Sequence, residues 1–429
     1  MKIALINPNW SFEGSIYFGC REPHLPLEYG YAKQLLEREG HQVLLVDGQM
    51  ERLPIDEIAL QLSLFRPDFT VTTTAPSYLF WRCAPPELRV PRNLLNRVKS
   101  TAGTTIVIGP HISTTPRAAL LKLNADAGVL GEPEEILPKL VETPRSRWNE
   151  LSSICYRWGD EVLVQGSPHQ SDMSKLPILT WPRVVVQKHH HHHHRFDTAP
   201  DGPGAEMEVS RGCPYHCTFC AKENFRTDYR KRPLSKLLEE MDSLIACGAV
   251  YFYFIDEIFL PDKELLMGVA ERNIKFGIQT RIDLWKPEML DLLGGAGCVS
   301  IEAGIESISE EGRELLDKKC RMSTDDLAER LIYAKERVPF VQANLIECNV
   351  DDSNAIESWR EKLLKNGVWA NKPVPLFPYP GSPDYTRMWG APDDLAWERA
   401  HEYYLYLYSK FSDVQEERPL PLAELESTA

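Results

Sequence analysis

The sequence predicts an α/β protein: a doubly wound parallel sheet in front, a partial (β/α) barrel behind it and a helical C-terminal segment. Two observations predict it. Short apolar β-type runs alternate with helically spaced segments through most of the chain, and 429 residues with 43% hydrophobic and 10% aromatic content suffice for two cores. On this reading residues 1–145 form the first domain, 146–204 a Pro-rich connector, 205–385 the barrel and 386–429 the helical extension.

The first domain opens with "KIALINP", a β-type run, then "LEYGYAKQLLEREG", helical in spacing and closed by glycine, then a second β run, "HQVLLVDG". The alternation continues through "PIDEIALQLSLFRP", "DFTVTTTA", a segment ahead of Lys99, "TTIVIGP", "RAALLKLN" and "DAGVLGEPEEILPKLVE". Such a pattern implies parallel strands with helices on both faces, and ligands of these sheets sit at the carboxyl ends of the strands. Those ends read Asn7-Pro8, Asp47-Gly48, Thr72-Thr73-Thr74 with Ser77 beyond, Gly109-Pro110-His111 and Gly131-Glu132. By themselves they suit plain loops as well as a ligand cradle.

In the second domain "VYFYFIDEIFLPD", "FGIQTRIDLW" and "VSIEAGIES" are strand runs, while "PLSKLLEEMDSLIACG" and "STDDLAERLIYAKER" are helical. Repeated strand–helix units make an open or partial barrel with its chemistry at the strand ends. After Pro392, "DDLAWERAHEYYLYLYSKF" reads as an aromatic-rich helix whose Tyr403, Tyr404, Tyr406 and Tyr408 are expected to pack.

A formal charge of -14 and a pI near 5.4 leave no broad positive field, so no sequence-independent grip on nucleic acid is expected. The opening "MKIALINPNW" has neither the basic start nor the apolar stretch of a signal peptide, and no apolar run approaches the ~18 residues that span a bilayer. A soluble, cytoplasmic protein is the expectation.

Of ten cysteines, seven are scattered singly; Cys213, Cys217 and Cys220 form a constellation in "SRGCPYHCTFCAKENFR". A closed zinc site or an ordinary Fe–S cluster takes four protein ligands, so three thiolates leave one coordination position open. Zinc would need a fourth ligand, and His216, directly beside Cys217, is poorly placed to share its metal.

The Cys-x3-Cys-x-aromatic-Cys pattern, with Phe219 as the aromatic residue, resembles that of the radical SAM superfamily. The resemblance implies a [4Fe–4S] cluster held by Cys213, Cys217 and Cys220, whose open iron chelates S-adenosylmethionine (SAM). It further implies SAM contacts from Phe219 within the motif and from Asp256 and Glu257, Arg281 and Asp283, and Gly304, Glu306 and Ser307, at the ends of strand runs. "PLFPYPGSPDY" is similar to a Tyr-Pro-Gly-Thr/Ser segment that closes the core in the cobalamin-linked class, whereas "VQANLIECNVDDSN" lacks the Gly-Pro-Gly turn common there. The order "INP", "LPLEYGYAKQLLEREGHQVLLVD", "IVIGPHIS" and "GVLGEPEE" resembles the cobalamin-binding domain at the front of that class. Thr72, Thr73, Thr74, Ser77, Gly109, Pro110, His111, Gly131 and Glu132 are then the implied cobalamin contacts. Because Asp-x-His-x-x-Gly is absent, the corrinoid is expected without a histidine on its lower face, and His111 is expected as a loop hydrogen-bonder.

"VVVQKHHHHHHRFD" carries six histidines, His189 to His194, ahead of the cysteine motif. An exposed tract of this kind binds transition metals, and a place beside the interdomain cavity is the alternative. Together with the chain length and the weakened turn it is similar to the rhizo-twelve subgroup of B12-binding radical SAM proteins. The resemblance implies C-methylation of a small molecule at an unactivated carbon, with flavodoxin or ferredoxin as electron donor. Two other readings stay open: ring closure, rearrangement or oxidation without methyl transfer, and corrinoid or metal binding without turnover.

Overall fold

A computed structural model describes residues 1–16, 23–77, 83–189, 202–407 and 418–427. The first unit is a seven-stranded sheet of β1 (Lys2–Asn7), β2 (Gln42–Asp47), β3 (Phe69–Thr73), β4 (Thr104–Ile108), β5 (Ala127–Val129), β6 (Ile154–Trp158) and β7 (Glu161–Gln165), in the order β2-β1-β3-β4-β5-β6-β7. β1 to β5 are parallel, and β6 and β7 add as an antiparallel hairpin. That hairpin lies in the stretch read from sequence as connector. Branched and aliphatic side chains such as Ile3, Leu5, Ile106 and Ile108 are fully buried under Tyr29, Leu36, Leu137 and Trp148, as a doubly covered parallel sheet requires.

The chain reverses its direction of travel across this sheet between β1 and β3. Tyr29, from the helix Leu27–Arg38, spans that point: its hydroxyl donates to the Ile6 carbonyl at 2.7 Å and accepts from the Thr73 N–H at 2.7 Å. A crossover of this kind opens the crevice in which doubly wound sheets take ligands.

The second unit contains β8 (Gly204–Met207), a two-stranded ladder of β9 (Ser210–Arg211) and β10 (Arg230–Lys231), then β11 (Tyr251–Phe254), β12 (Lys275–Thr280), β13 (Cys298–Glu306), β14 (Phe340–Leu345) and β15 (Trp369–Ala370). Its six-stranded parallel sheet runs β15-β14-β13-β12-β11-β8, the open barrel expected. One apolar core joins the units: Phe12, Leu25, Leu27 and Tyr31 from the first and Met173, Leu176 and Leu179 from the connector pack with barrel residues such as Met207 and Leu237.

The C-terminal part returns to the first unit. In the helix Ala396–Leu407, Trp397 stacks on His111 at 4.1 Å between ring centroids and donates from Nε1 to Thr115 Oγ1 at 3.1 Å. The helix Leu422–Ser427 follows; the Leu420 N–H donates to the Gly14 carbonyl, and Glu426 Oε1 accepts from the Leu88 N–H. Of the tyrosines expected to pack, Tyr404 is buried and Tyr403 meets Trp389 edge-on at 5.5 Å. Tyr406 instead projects outward at 77% exposure, because its helical position turns it away from the core. Tyr408 lies outside the described residues, as do His190 to His194.

Candidate active site

The cysteine loop is held from three sides. The Gly212 N–H, one residue ahead of Cys213, donates to Glu257 Oε2 at 2.9 Å. Gly212 has φ +78, and a Cβ there would lie 2.1 Å from the Asp228 carbonyl oxygen, so glycine alone fits this turn. From below, the Tyr379–Asp384 stretch clamps the loop: Asn224 Nδ2 donates to the Pro380 carbonyl at 2.7 Å, and Thr218 Oγ1 donates to Asp384 Oδ2 at 3.0 Å. From the third side come the ends of β11 to β14.

Cys213, Cys217 and Cys220 line one cavity of about 270 Å³ together with Tyr215, Phe219, Lys222, Glu257, Ile258, Gln279, Thr280, Arg281, Gly304, Glu306, Lys318 and Asn344. Among the described residues no three His, Cys, Asp or Glu side chains converge as a single metal ion needs. A [4Fe–4S] cluster presents a separate iron to each thiolate, so thiols set around a shared cavity fit it. Burial raises the Cys213 and Cys217 thiols above the usual cysteine range, keeping them protonated until a metal displaces the proton.

Around the thiols the charges are paired. The Arg281 guanidinium lies 3.9 Å above the Tyr215 ring centroid and binds Asp283 through Nη2 at 2.7 Å and Nε at 3.1 Å. Lys318 Nζ meets Glu306 Oε1 at 3.0 Å. Glu306 has φ +68 beside an irregularity in the β13–β14 register; bulges of this kind re-aim a side chain beside an active site.

The sequence-derived SAM set therefore divides. Phe219, Glu257, Arg281, Gly304 and Glu306 line the cavity. Asp256 does not: it turns back to accept from the Val209 N–H at 3.2 Å and from the Ser210 hydroxyl, and burial raises its carboxyl to about 7. Asp283 acts behind Arg281, and the buried Ser307 hydroxyl donates to Asp351 Oδ1 at 2.8 Å, away from the lining. Tyr215, Gln279, Lys318 and Asn344 were not anticipated. The period-two alternation of "FGIQT" and "VQANL" is the signal that marks Gln279 and Asn344, whereas nothing local marks Lys318.

The strand-end residues of the first unit divide as well. Thr72, Thr73 and Thr74 are buried at the crossover, where the Thr72 hydroxyl donates to the Ile6 carbonyl and the Thr73 hydroxyl to the Ala75 carbonyl. The Ser77 hydroxyl is buried with no hydrogen-bond partner among the described residues, which fits a polar ligand at this crevice. Gly109 and Pro110 begin the turn after β4, where the His111 N–H donates to Thr74 Oγ1 at 3.3 Å. The His111 ring is fully buried beneath Trp397, and burial lowers it to about 3, so it is a neutral packing group. Gly131 pairs with His169 in an isolated bridge.

Glu132 departs furthest from its expected role. It binds Arg230 through two 2.8 Å contacts, faces Arg211 at 3.3 Å and Arg226 at 3.2 Å, and accepts from the Ser171 N–H at 2.6 Å. Burial alone would raise this carboxyl, but the three guanidinium groups hold it at about 2. Its lone pairs are spent within the protein, so it is an interdomain anchor. Of the histidine run, only His189 is described: it is buried, its Nδ1 donates to the Gly204 carbonyl at 2.5 Å and its Nε2 faces Glu206 at 3.3 Å.

Residues 207–346 match the family model of the Radical SAM superfamily. Every residue that lines the cysteine cavity, from Cys213 to Asn344, falls within this matched segment. The chain's fold across both units is the one solved for TsrM of Kitasatospora setae, a radical SAM methyltransferase: TM-score 0.69 at 17% identity, covering 90% of this chain and 76% of that one. TsrM has been solved with tryptophan and a SAM analog and also with cobalamin and a [4Fe–4S] cluster. In sequence, the chain is 26% identical over 333 residues to the uncharacterized methyltransferase PH0819 of Pyrococcus horikoshii, covering 74% of this chain and 68% of the relative. It is 23% identical over 370 residues to the anaerobic magnesium-protoporphyrin IX monomethyl ester cyclase of Cereibacter sphaeroides, covering 81% of this chain and 56% of the cyclase.

Proposed function

We propose that the protein is a cobalamin-dependent radical SAM methyltransferase acting on an unactivated carbon of a small molecule, with residues 1–145 as the corrinoid unit, 205–385 as the radical unit and 386–429 as a cap. The observation that carries this reading is the cavity itself: three thiols and a ring of hydrogen-bonding side chains at the ends of β11 to β14, beneath a unit with an open strand crossover. When bound, SAM on the cluster supplies a carbon-radical source and the corrinoid a methyl group.

The chain's residues do the rest. Cys213, Cys217 and Cys220 would hold the cluster, three thiolates for its four irons. Glu257, fixed by the Gly212 N–H, accepts from the SAM ammonium, while Arg281 and Lys318 offer cations whose positions Asp283 and Glu306 set. Gln279 and Asn344 hydrogen-bond the nucleoside. The apolar seam of Phe12, Leu25, Leu27 and Tyr31 over the barrel excludes water from reactive carbon. Among the described residues no helix is long and apolar enough to cross a membrane. We place the protein in the cytoplasm, with flavodoxin or ferredoxin as electron donor.

Methyl-deuterated SAM tests this. Each product should gain a CD3 group and appear with one S-adenosylhomocysteine and one 5′-deoxyadenosine, as follows from two SAM molecules in two roles. 5′-Deoxyadenosine accompanied by neither label in product nor S-adenosylhomocysteine would replace methyl transfer by ring closure or oxidation, the reading that likeness to the cyclase favours.

A further inference from the structure

Four buried carboxylates, a fifth on the cavity wall and three guanidinium groups meet where the units join. Arg211 and Arg226 flank the cysteine triplet; Arg230 follows on β10. Glu132 and Glu134 come from the loop after β5, Glu28 from the helix Leu27–Arg38, Glu208 from beyond β8 and Glu257 from beyond β11.

Within this group Arg226 has a particular geometry. Its Nη1 donates to Glu257 Oε1 at 2.6 Å, its Nε faces Glu132 Oε1 at 3.2 Å and its Nη2 faces Glu208 Oε1 at 3.5 Å, with the side chain 1% exposed. One rigid planar fork thus bears on the first unit and on a cavity wall at once. Glu257 in turn accepts from Gly212, next to Cys213. Arg230 grips Glu132 just as firmly, but its other hydrogen bonds go to the Ser171 and Asp228 carbonyls, and among the described residues none goes to a cavity residue.

We propose that Arg226 is a positioning residue that couples the loop Gly131–Glu134 to Glu257, so that the corrinoid and SAM bind this protein cooperatively. The inference rests on the corrinoid reading above. A displacement of Glu132 moves the fork, and the fork moves the carboxylate that faces the cavity. In a site of low dielectric constant such charge-assisted contacts are strong enough to transmit the shift. Coupling of this kind is reciprocal, so it is measurable as a ratio of SAM dissociation constants without and with saturating cobalamin.

The test is calorimetric titration of SAM into anaerobically reconstituted protein, with and without hydroxocobalamin. In the wild type cobalamin should tighten SAM by about five-fold or more. Arg226→Lys should bring the ratio to within about two-fold of one, and Arg230→Lys should retain it. Iron content and melting identify folded variants; if Arg226→Lys does not accumulate folded, Glu132→Gln weakens the same link from its other end together with the Arg230 contacts, and a loss of the ratio there with retention in Arg230→Lys assigns it to the Arg226 link. A wild-type ratio near one, or equal loss in Arg226→Lys and Arg230→Lys, overturns the coupling while leaving the corrinoid reading intact. Protein that binds SAM and takes up no cobalamin overturns both.

Discussion

Alanine in place of Cys213, Cys217 or Cys220 is expected to abolish SAM cleavage, lowering 5′-deoxyadenosine formation by at least ~10³-fold, the equivalent of ~4 kcal/mol of barrier. All three thiols line one cavity, and with only three thiolates for four irons no spare protein ligand can replace a lost one. Anaerobic reconstitution should give about four irons per wild-type chain, and each variant should hold fewer or an unstable cluster. Cys247→Ala is the control. Its sulfur faces the Trp181 carbonyl at 3.7 Å and is not in the cavity wall, so iron and turnover should be unchanged. Wild-type turnover at full zinc occupancy would remove the cluster assignment.

Glu28 sets the second expected effect. Its carboxyl is fully buried, neither oxygen has a hydrogen-bond partner among the described residues, and burial raises it to about 8, with Glu134 and Glu208 adding to the shift. The folded protein therefore keeps this proton up to pH ~8, whereas an unfolded chain releases it near the ordinary glutamate value of ~4.3. Below that value the group costs nothing; stability falls as pH rises toward 8 and levels off above it. Glu28→Gln lacks the titration, so between pH 6 and pH 8 the wild type should lose ~2–3 kcal/mol relative to the variant. Urea midpoints of both proteins at pH 6, 7 and 8 measure the difference. A wild-type-to-variant gap that stays constant with pH would show that Glu28 is ionised in the fold.

Both effects bear on what can be read from sequence. The cysteine triplet was legible because metal chemistry fixes ligand spacing within a few residues, and the strands were legible because most are short apolar runs buried on both faces and bounded by turn residues. The β6–β7 hairpin was read as connector because its antiparallel pairing with β5 is a long-range choice that its residues do not encode locally. Asp256 and Glu257 are neighbours at a strand end, and only the bend that ties Asp256 to Ser210 decides which of them faces the cavity. Glu132 looked like a ligand contact because it follows a strand; the arginines that occupy it lie some 80 to 100 residues away. Lys318 lies only 12 residues from Glu306, but the two meet where the β13–β14 register shifts, which no local pattern announces.

The return of residues 420–427 to Gly14, Leu88 and Arg92 has a consequence for how the protein is made. Translation delivers the seven-stranded sheet first, and domains tend to fold as they emerge. This one cannot be finished on that schedule. Its rim around Gly14 acquires its apolar lining from Leu420 and Leu425 only after the whole barrel has left the ribosome. The nascent sheet stays unsealed at this rim until residues 420–427 emerge, behind the entire barrel.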